Sequence, residues 1–171
     1  YPADLGMLRP GFAHTPEGWH MNFYGSEKVG EAIEEQLSNK LRENGIADFL
    51  LLSPFEPTKV GAYTVTALPA IHNPKSGPLF YQITDGKKTI LYAHDTHFLD
   101  DSVWAYWQKT KPHFDFVSLD CTNACLPMKY VGHMGLAENI EVRRRMLEMG
   151  VADESTTFVC NHFSHNGTHV V

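Results

Sequence analysis

Apolar and polar residues follow one another along the chain in short blocks that predict strands alternating with helices. The predicted strands are brief apolar or alternating runs that end at turn residues: His20–Tyr24, Phe49–Leu52, Tyr63–Leu68, Leu79–Thr84, Thr89–Ala93, Phe116–Leu119 and Thr157–Cys160. Between two of these runs stand Asp85 and Gly86, a pair that favours a tight hairpin. The turn-rich stretch SPFEPT at 53–58 predicts an irregular connection.

Helical segments are indicated by a different spacing of apolar residues. After the N-cap residue Ser26, apolar side chains recur every four residues, which gives one apolar helix face that ends at Asn44 and Gly45. The recurring positions are Val29, Ile33, Leu37 and Leu41. Two further helices are predicted over Asp100–Lys109 and Leu136–Met149. The order of strands and helices predicts a single α/β domain over residues 1–171.

Composition and net charge indicate which general classes of protein this chain can belong to. With 43% hydrophobic and 12% aromatic residues, the 171-residue chain has enough apolar material for a buried core. The net charge of −6 does not favour binding along an extended nucleic-acid backbone. We find no apolar run long enough to span a bilayer and no signal peptide. The three cysteines, Cys121, Cys125 and Cys160, are too sparse for a disulfide framework and predict reduced thiols in a cytoplasmic protein.

Histidines and one aspartate stand just after predicted strands, where loops expose side chains that the strands hold in place. His72 follows the strand Tyr63–Leu68, and Asp95 follows TILYA. His162 and His165 follow TTFVC with a spacing that suits two ligands, or a ligand and a helper. Imidazole and carboxylate are ligands for zinc, iron and manganese. Each residue alone also has a purely structural interpretation, as a loop histidine or a turn aspartate.

The sequence order of these motifs resembles the metallo-β-lactamase fold superfamily. The resemblance rests on VTALPAIHN, TILYAHDTHF, FVSLDCT, VGHMGLAENI and FVCNHFSHNG, and it covers roughly residues 60–171; GWHMNFYGSEKV resembles the preceding strand and helix. Within the superfamily the chain looks most like the cyclic phosphodiesterases of phosphonate breakdown and, more distantly, the tRNA 3′-processing endonucleases. The implied fold is an α/β, metallo-β-lactamase-type αβ/βα sandwich with a two-metal site at one edge of its sheets.

The resemblance also implies roles for individual residues. His72, Asp95 and His162 match metal ligands, with Asp95 bridging two divalent ions (Zn, Mn or Fe) in the intact protein. His133 matches a histidine near the substrate that acts as an acid or as a phosphate contact. The implied reaction is phosphodiester hydrolysis by a water that the two metals activate, on a small-molecule or nucleotide-like substrate.

Other residues near these motifs have less definite roles. His165 and Asp120 are candidates for supporting the ligands or for contacting substrate. Asp120 and the adjacent Cys121 stand at a strand end that faces the site in many relatives, although packing in the core or a turn is the interpretation we prefer for both. By strand alternation, His94 should point away from the site if its neighbour Asp95 points into it.

One expected motif does not occur in this sequence. The superfamily signature HxHxDH is absent, and in relatives it comes immediately before a stretch like the opening residues YPADLGM. We therefore expect a fold that is incomplete at the N-terminus and at the C-terminus, and an isolated chain that binds metal weakly and is inactive. The alternatives are a degenerate, non-catalytic binding protein on the same scaffold and a hydrolase of lactones or thioesters. The sequence leaves a homodimer open.

Overall fold

The computed structural model describes residues 20–36, 47–126 and 131–164. Contacts along the chain divide it into two compact units: residues 1–53 with Lys75–Gly77, and residues 54–74 with 78–171. The prediction of one domain over residues 1–171 stays a prediction. No helix among the described residues is both long enough and apolar enough to cross a membrane.

The first unit contains two parallel strands and one helix. Strand β1 (Met21–Gly25) pairs with β2 (Ala47–Leu51), and α1 (Glu27–Gln36) lies between them in sequence. The predicted N-cap is confirmed, because the Ser26 hydroxyl accepts a hydrogen bond from the Val29 N–H at 3.4 Å. A small apolar core forms on one helix face: Ile33 and Ala47, with Phe23, Val29 and Phe49. The later half of the predicted helix, with Leu37, Leu41 and Asn44-Gly45, lies outside the described residues.

The second unit is built on a six-stranded sheet in the order β3-β4-β5-β6-β7-β8. Its strands are β3 (Pro57–Val60), β4 (Tyr63–Pro69), β5 (Leu79–Thr84), β6 (Thr89–Ala93), β7 (Phe116–Asp120) and β8 (Thr157–Asn161). Neighbours from β3 to β6 are antiparallel, whereas β6, β7 and β8 run parallel. The carboxyl ends of β4, β6, β7 and β8 therefore reach the same edge of the sheet.

Two local features compare directly with the sequence predictions. The hairpin between β5 and β6 is confirmed: Asp85 Oδ1 accepts hydrogen bonds from the Lys87 and Lys88 N–H groups, and Gly86 adopts φ +90°. The irregular connection at 53–58 is only partly right, since Pro57–Val60 forms the edge strand β3. Proline is compatible with that position because the first residue of an edge strand need not donate to the ladder.

Two helices follow the sheet strands. Helix α2 (Asp101–Thr110) begins after the N-cap Asp100, whose carboxylate accepts from the Ser102 N–H at 2.9 Å. Helix α3 (Leu136–Met149) ends at Gly150, which has φ +72° as expected for a left-handed C-cap. Side chains of the sheet, the two helices and their connections form the core, whose largest fully buried members include Phe80, Leu68, Leu91, Val103, Trp107, Phe114, Leu119, Val142 and Met146.

The side chains of β6 alternate between the two faces of the sheet. Leu91 and Ala93 are buried in the core, whereas Ile90 and Tyr92 are exposed on the opposite face. Phe116 is paired with Ile90 across the parallel ladder and is also exposed. One face of the sheet therefore packs against the core and the other presents exposed apolar side chains.

Candidate metal centre

Residues that follow different strands meet at one edge of the second unit. His72 comes after β4, Asp95 after β6, Asp120 ends β7, and His162 directly follows β8. The parallel directions of these strands bring their carboxyl ends together although the residues are far apart in sequence. His133 joins them from the segment before α3. The sheet topology, rather than any local motif, assembles this cluster.

Two of these residues have an unusual backbone conformation. Asp95 has φ +50° and His162 has φ +60°, both in the left-handed region. This region is uncommon for residues other than glycine, although Asp and His are enriched there, and such a residue costs on the order of 1–3 kcal/mol. The sharp change of direction turns each side chain out of its strand and towards the other residues of the cluster.

Asp95 lies between two imidazoles. Its Oδ1 atom is 3.7 Å from His72 Nε2 and 3.5 Å from His162 Nε2. Two ligand atoms that each lie about 2.1 Å from one tetrahedral ion are separated by about 3.4 Å, so both spacings are close to those of ligands that share an ion. More than half of the Asp95 side chain is exposed, which leaves room for an ion and a substrate. Each imidazole therefore lies at a spacing from the Asp95 carboxylate that suits a shared divalent transition metal.

A second carboxylate holds the remaining histidine. The Asp120 side chain is fully buried, and its Oδ2 atom lies 2.8 Å from His133 Nδ1 and 3.5 Å from His162 Nδ1. The other ring nitrogen of His133, Nε2, lies 3.3 Å from His72 Nε2. Asp95, Asp120, His133 and His162 each offer one ligand atom, and these atoms all lie within 4.8 Å of one another, whereas the predicted ligand His72 is not a member of this group.

Asp120 combines both of the interpretations that the sequence allowed. Its Oδ1 atom accepts a hydrogen bond from the Thr122 N–H at 2.9 Å, which is a turn contact, while Oδ2 faces the histidines. Turn packing therefore describes the Oδ1 atom of Asp120, whereas the Oδ2 atom belongs to the histidine cluster. Cys121 is buried, and burial raises the pKa of its thiol to about 12, so core packing describes that residue.

The Thr122 hydroxyl was not identified by the sequence analysis, yet it touches two of the histidines. Its Oγ1 atom lies 2.9 Å from His162 Nδ1, 3.1 Å from His133 Nδ1 and 2.9 Å from the His162 carbonyl oxygen. These contacts join the end of β7 to the residue after β8. No short-range pattern indicates them, because they depend on the pairing of two strands that are about forty residues apart in sequence.

The neighbouring histidines His94 and His97 make contacts of their own. His94 Nε2 lies 2.7 Å from the Ser118 hydroxyl, and burial, followed by the nearby His162, lowers the pKa of His94 below its ordinary value. The prediction that His94 points away from the site is only partly right, because its ring centroid lies 5.4 Å from that of His162. His97 is also outside the group of described residues that could share an ion, and its Nε2 atom is buried. His165 lies outside the described residues.

Two further residues, Asn139 and Gly132, pack closely against the cluster. The Asn139 amide donates to the Asp120 carbonyl at 2.7 Å and to the Gly135 carbonyl at 2.8 Å, which ties α3 to the end of β7. Gly132 adopts φ +98°, and a Cβ atom there would lie 3.0 Å from His72 Cδ2. Glycine is therefore required at this position both by its conformation and by the closeness of the His72 ring.

Comparison with known proteins identifies a family whose model matches most of this chain. The family model for the beta-lactamase superfamily domain matches residues 2–151. Comparison with curated proteins gives no match.

Solved structures resemble the chain over nearly its whole length. The metallo-beta-lactamase fold protein YhfI from Bacillus subtilis has a TM-score of 0.67 at 23% identity, and the match covers 98% of this chain and 62% of that one. Unliganded yeast PDE1 has a TM-score of 0.72 at 15% identity, covering 95% and 54%. A diphosphatase from the PhnP family has a TM-score of 0.61 at 13% identity, also covering 95% and 54%. The chain thus spans between about half and three fifths of the length of these proteins.

Proposed function

This chain belongs to the beta-lactamase superfamily, and on that premise we propose that it is part of a metal-dependent hydrolase that cleaves phosphodiesters. The predicted α/β fold of metallo-β-lactamase type is confirmed by the family match and by the similar structures. The observation that carries the functional proposal is the approach of His72 Nε2 and His162 Nε2 to one oxygen of Asp95. Beside it, the Asp120–His133 pair offers a held imidazole for proton transfer.

The metal would be held by His72, Asp95 and His162. We propose two divalent ions, of zinc, manganese or iron, with Asp95 shared between them in the whole protein. When bound, such ions lower the pKa of a coordinated water and stabilise the charge that develops on phosphoryl oxygens. The exposed Asp95 side chain leaves the cluster open to a substrate on the solvent side.

His133 is the proposed acid or phosphate contact. Its Nδ1 atom is held by the buried Asp120 carboxylate at 2.8 Å, so its Nε2 atom is the one directed towards His72 and Asp95. When it is protonated, this imidazole can donate its Nε2 hydrogen to a leaving alkoxide oxygen or to a phosphate oxygen. Because Asp120 is fully buried and bonded through both oxygens, it fixes the direction of that hydrogen.

A phosphorus ester is the substrate class that the comparisons favour. One similar structure is a diphosphatase from the PhnP family, and the sequence motifs resemble cyclic phosphodiesterases. The superfamily fold alone does not fix the substrate, so lactone and thioester hydrolysis are the alternatives that an assay must separate. The small-molecule or nucleotide-like substrate, a homodimer and a cytoplasmic location stay predictions.

The experiment is a substrate comparison with the full-length protein loaded with zinc, manganese or iron. We expect metal-dependent hydrolysis of bis(p-nitrophenyl) phosphate, with little turnover of a lactone or a thioester, and loss of that activity in Asp95→Asn. Asp153→Asn is the matched control, because Asp153 also bonds a histidine, His113, at 3.0 Å before β8 and away from the site. Faster cleavage of the lactone or thioester would replace the phosphodiester assignment. Absence of all three activities in metal-loaded protein would favour the non-catalytic scaffold.

A further inference from the structure

One hydroxyl group touches both histidines that flank the buried carboxylate. A threonine hydroxyl has one hydrogen to donate and two lone pairs that accept. Around Thr122 Oγ1 stand the His162 carbonyl oxygen at 2.9 Å, His162 Nδ1 at 2.9 Å and His133 Nδ1 at 3.1 Å. The side chain is almost completely buried, so water does not compete freely for these contacts.

The three contacts determine where the hydrogens lie. The His162 carbonyl can only accept, so the hydroxyl hydrogen must point to it; otherwise two acceptor oxygens would stand 2.9 Å apart with no hydrogen between them. The lone pairs of Oγ1 then face the two ring nitrogens, which must both carry hydrogen. The Nδ1 hydrogen of His133 is shared with Asp120 Oδ2, which lies nearer, at 2.8 Å.

This arrangement places a hydrogen on Nδ1 of both rings and sets the tautomer of His162. An imidazole that carries its hydrogen on Nδ1 has a bare Nε2 when it is neutral. In His162 that bare Nε2 is the atom 3.5 Å from Asp95 Oδ1. The same hydroxyl also holds the His162 carbonyl, and with it the left-handed backbone at φ +60°.

We propose that Thr122 is a positioning residue that fixes the Nδ1–H tautomer and the backbone conformation of His162, and also accepts from the Nδ1–H of His133. Its relevance to metal binding rests on the proposed function, whereas the tautomer itself is a property of the metal-free protein. A bare, correctly directed Nε2 is the form of histidine that binds a metal, and a partner on the other ring nitrogen is what holds it so.

The first experiment measures the tautomers directly. Long-range ¹H–¹⁵N spectra of the metal-free, full-length protein are recorded at a pH where the imidazoles are neutral, and His162 is assigned with a His162→Gln variant. We expect the Nδ1–H form of His162 in the natural protein and in Thr122→Ser, and a shift towards the Nε2–H form in Thr122→Val. An Nε2–H tautomer of His162 in the natural protein would overturn the proposal, whether or not any variant folds.

The second experiment measures zinc affinity in the same set of proteins. Loss of a hydrogen-bond partner of a metal ligand typically weakens binding about 10–100-fold, so Thr122→Val should lose affinity by about that factor while Thr122→Ser stays close to the natural protein. Thr156→Val is the matched control, because the Thr156 hydroxyl also makes two hydrogen bonds, at 2.7 Å and 3.0 Å, but stands before β8. It should lower stability without changing zinc affinity.

The two experiments test the positioning role of Thr122 separately from the proposed metal-dependent function. If the natural protein shows the Nδ1–H tautomer but binds no zinc, the proposed metal-dependent function fails while the positioning role of Thr122 holds. If zinc binds tightly and Thr122→Val keeps both the tautomer and the affinity of the natural protein, the positioning role is refuted while the proposed function stands.

Discussion

Replacing Gly132 with alanine tests whether the loop before α3 holds His72 in place. Gly132 has φ +98°, a conformation that L-residues rarely adopt, and such strain costs about 1–3 kcal/mol. Alanine also restricts the unfolded chain, which returns about 0.4–1 kcal/mol. We therefore expect the free energy of unfolding to fall by a net amount of about 1–2 kcal/mol.

The new methyl group has a second effect that is specific to the site. It would lie 3.0 Å from His72 Cδ2 and 3.2 Å from His72 Cα, so the imidazole and its backbone must move by a few tenths of an ångström. Since His72 Nε2 lies 3.7 Å from Asp95 Oδ1, a displacement of that size disturbs the relation between two proposed ligands. We expect weaker zinc binding as well as lower stability.

Gly86→Ala is the control for this prediction. Gly86 has a similar φ of +90°, but an added Cβ would meet no atom within 4 Å. Urea unfolding should show a loss of stability from backbone strain in Gly86→Ala and at least as large a loss in Gly132→Ala, while calorimetric zinc titration of the full-length protein should show weakened binding in Gly132→Ala alone. Equal zinc affinities in the two variants would refute the claim that Gly132 positions His72.

Three further outcomes follow from the structure. If the proposed function holds for the full-length protein, His133→Ala should lower turnover of a phosphodiester with a poor leaving group about 10²–10⁴-fold, and much less for a nitrophenyl ester that needs no acid; an equal loss on both would exclude the acid role. Phe114→Ala should lower the free energy of unfolding by about 3–5 kcal/mol in urea titration, because this ring is fully buried in the core. Hydrogen bonds from Arg144 and then Arg145 hold the pKa of the half-buried Glu141 carboxyl down to about 2. Its stabilising effect is therefore present above the ordinary value of 4.5 and lost as the pH falls towards 2, so thermal melting should show the Glu141→Gln variant and the natural protein converging over that range.

The sequence predicted those elements whose signals are local. The bounds of the strands Leu79–Thr84 and Thr89–Ala93 are confirmed, because Asp85 and Gly86 specify the turn between them. Helix Leu136–Met149 is also confirmed, and Gly150 ends it as a left-handed C-cap. The edge strand Pro57–Val60 was missed, since residues 53–58 contain two prolines and a serine, which indicate a turn unless a neighbouring strand is known.

The residues of the site also differ in whether the sequence carries a local signal for them. His72, Asp95 and His162 were candidates because each follows a predicted strand, and the resemblance to the metallo-β-lactamase fold superfamily implied their roles as ligands. The structure brings His72 and His162 to one oxygen of Asp95. Thr122 and the inward-facing oxygen of Asp120 could not be selected from the sequence, because their contacts depend on the tertiary approach of His133 and His162. A buried polar residue beside a ligand becomes visible only when the partner of its hydrogen bond is known.

The most direct test of the central claim is to locate zinc in crystals of the full-length protein by anomalous diffraction. The account predicts a zinc ion about 2.0–2.2 Å from an oxygen of Asp95 and from His162 Nε2. The same signal should disappear in Asp95→Asn and persist in Asp153→Asn. Zinc bound elsewhere, with no ion at Asp95 in the zinc-loaded natural protein, would contradict the assignment of this cluster as a metal centre.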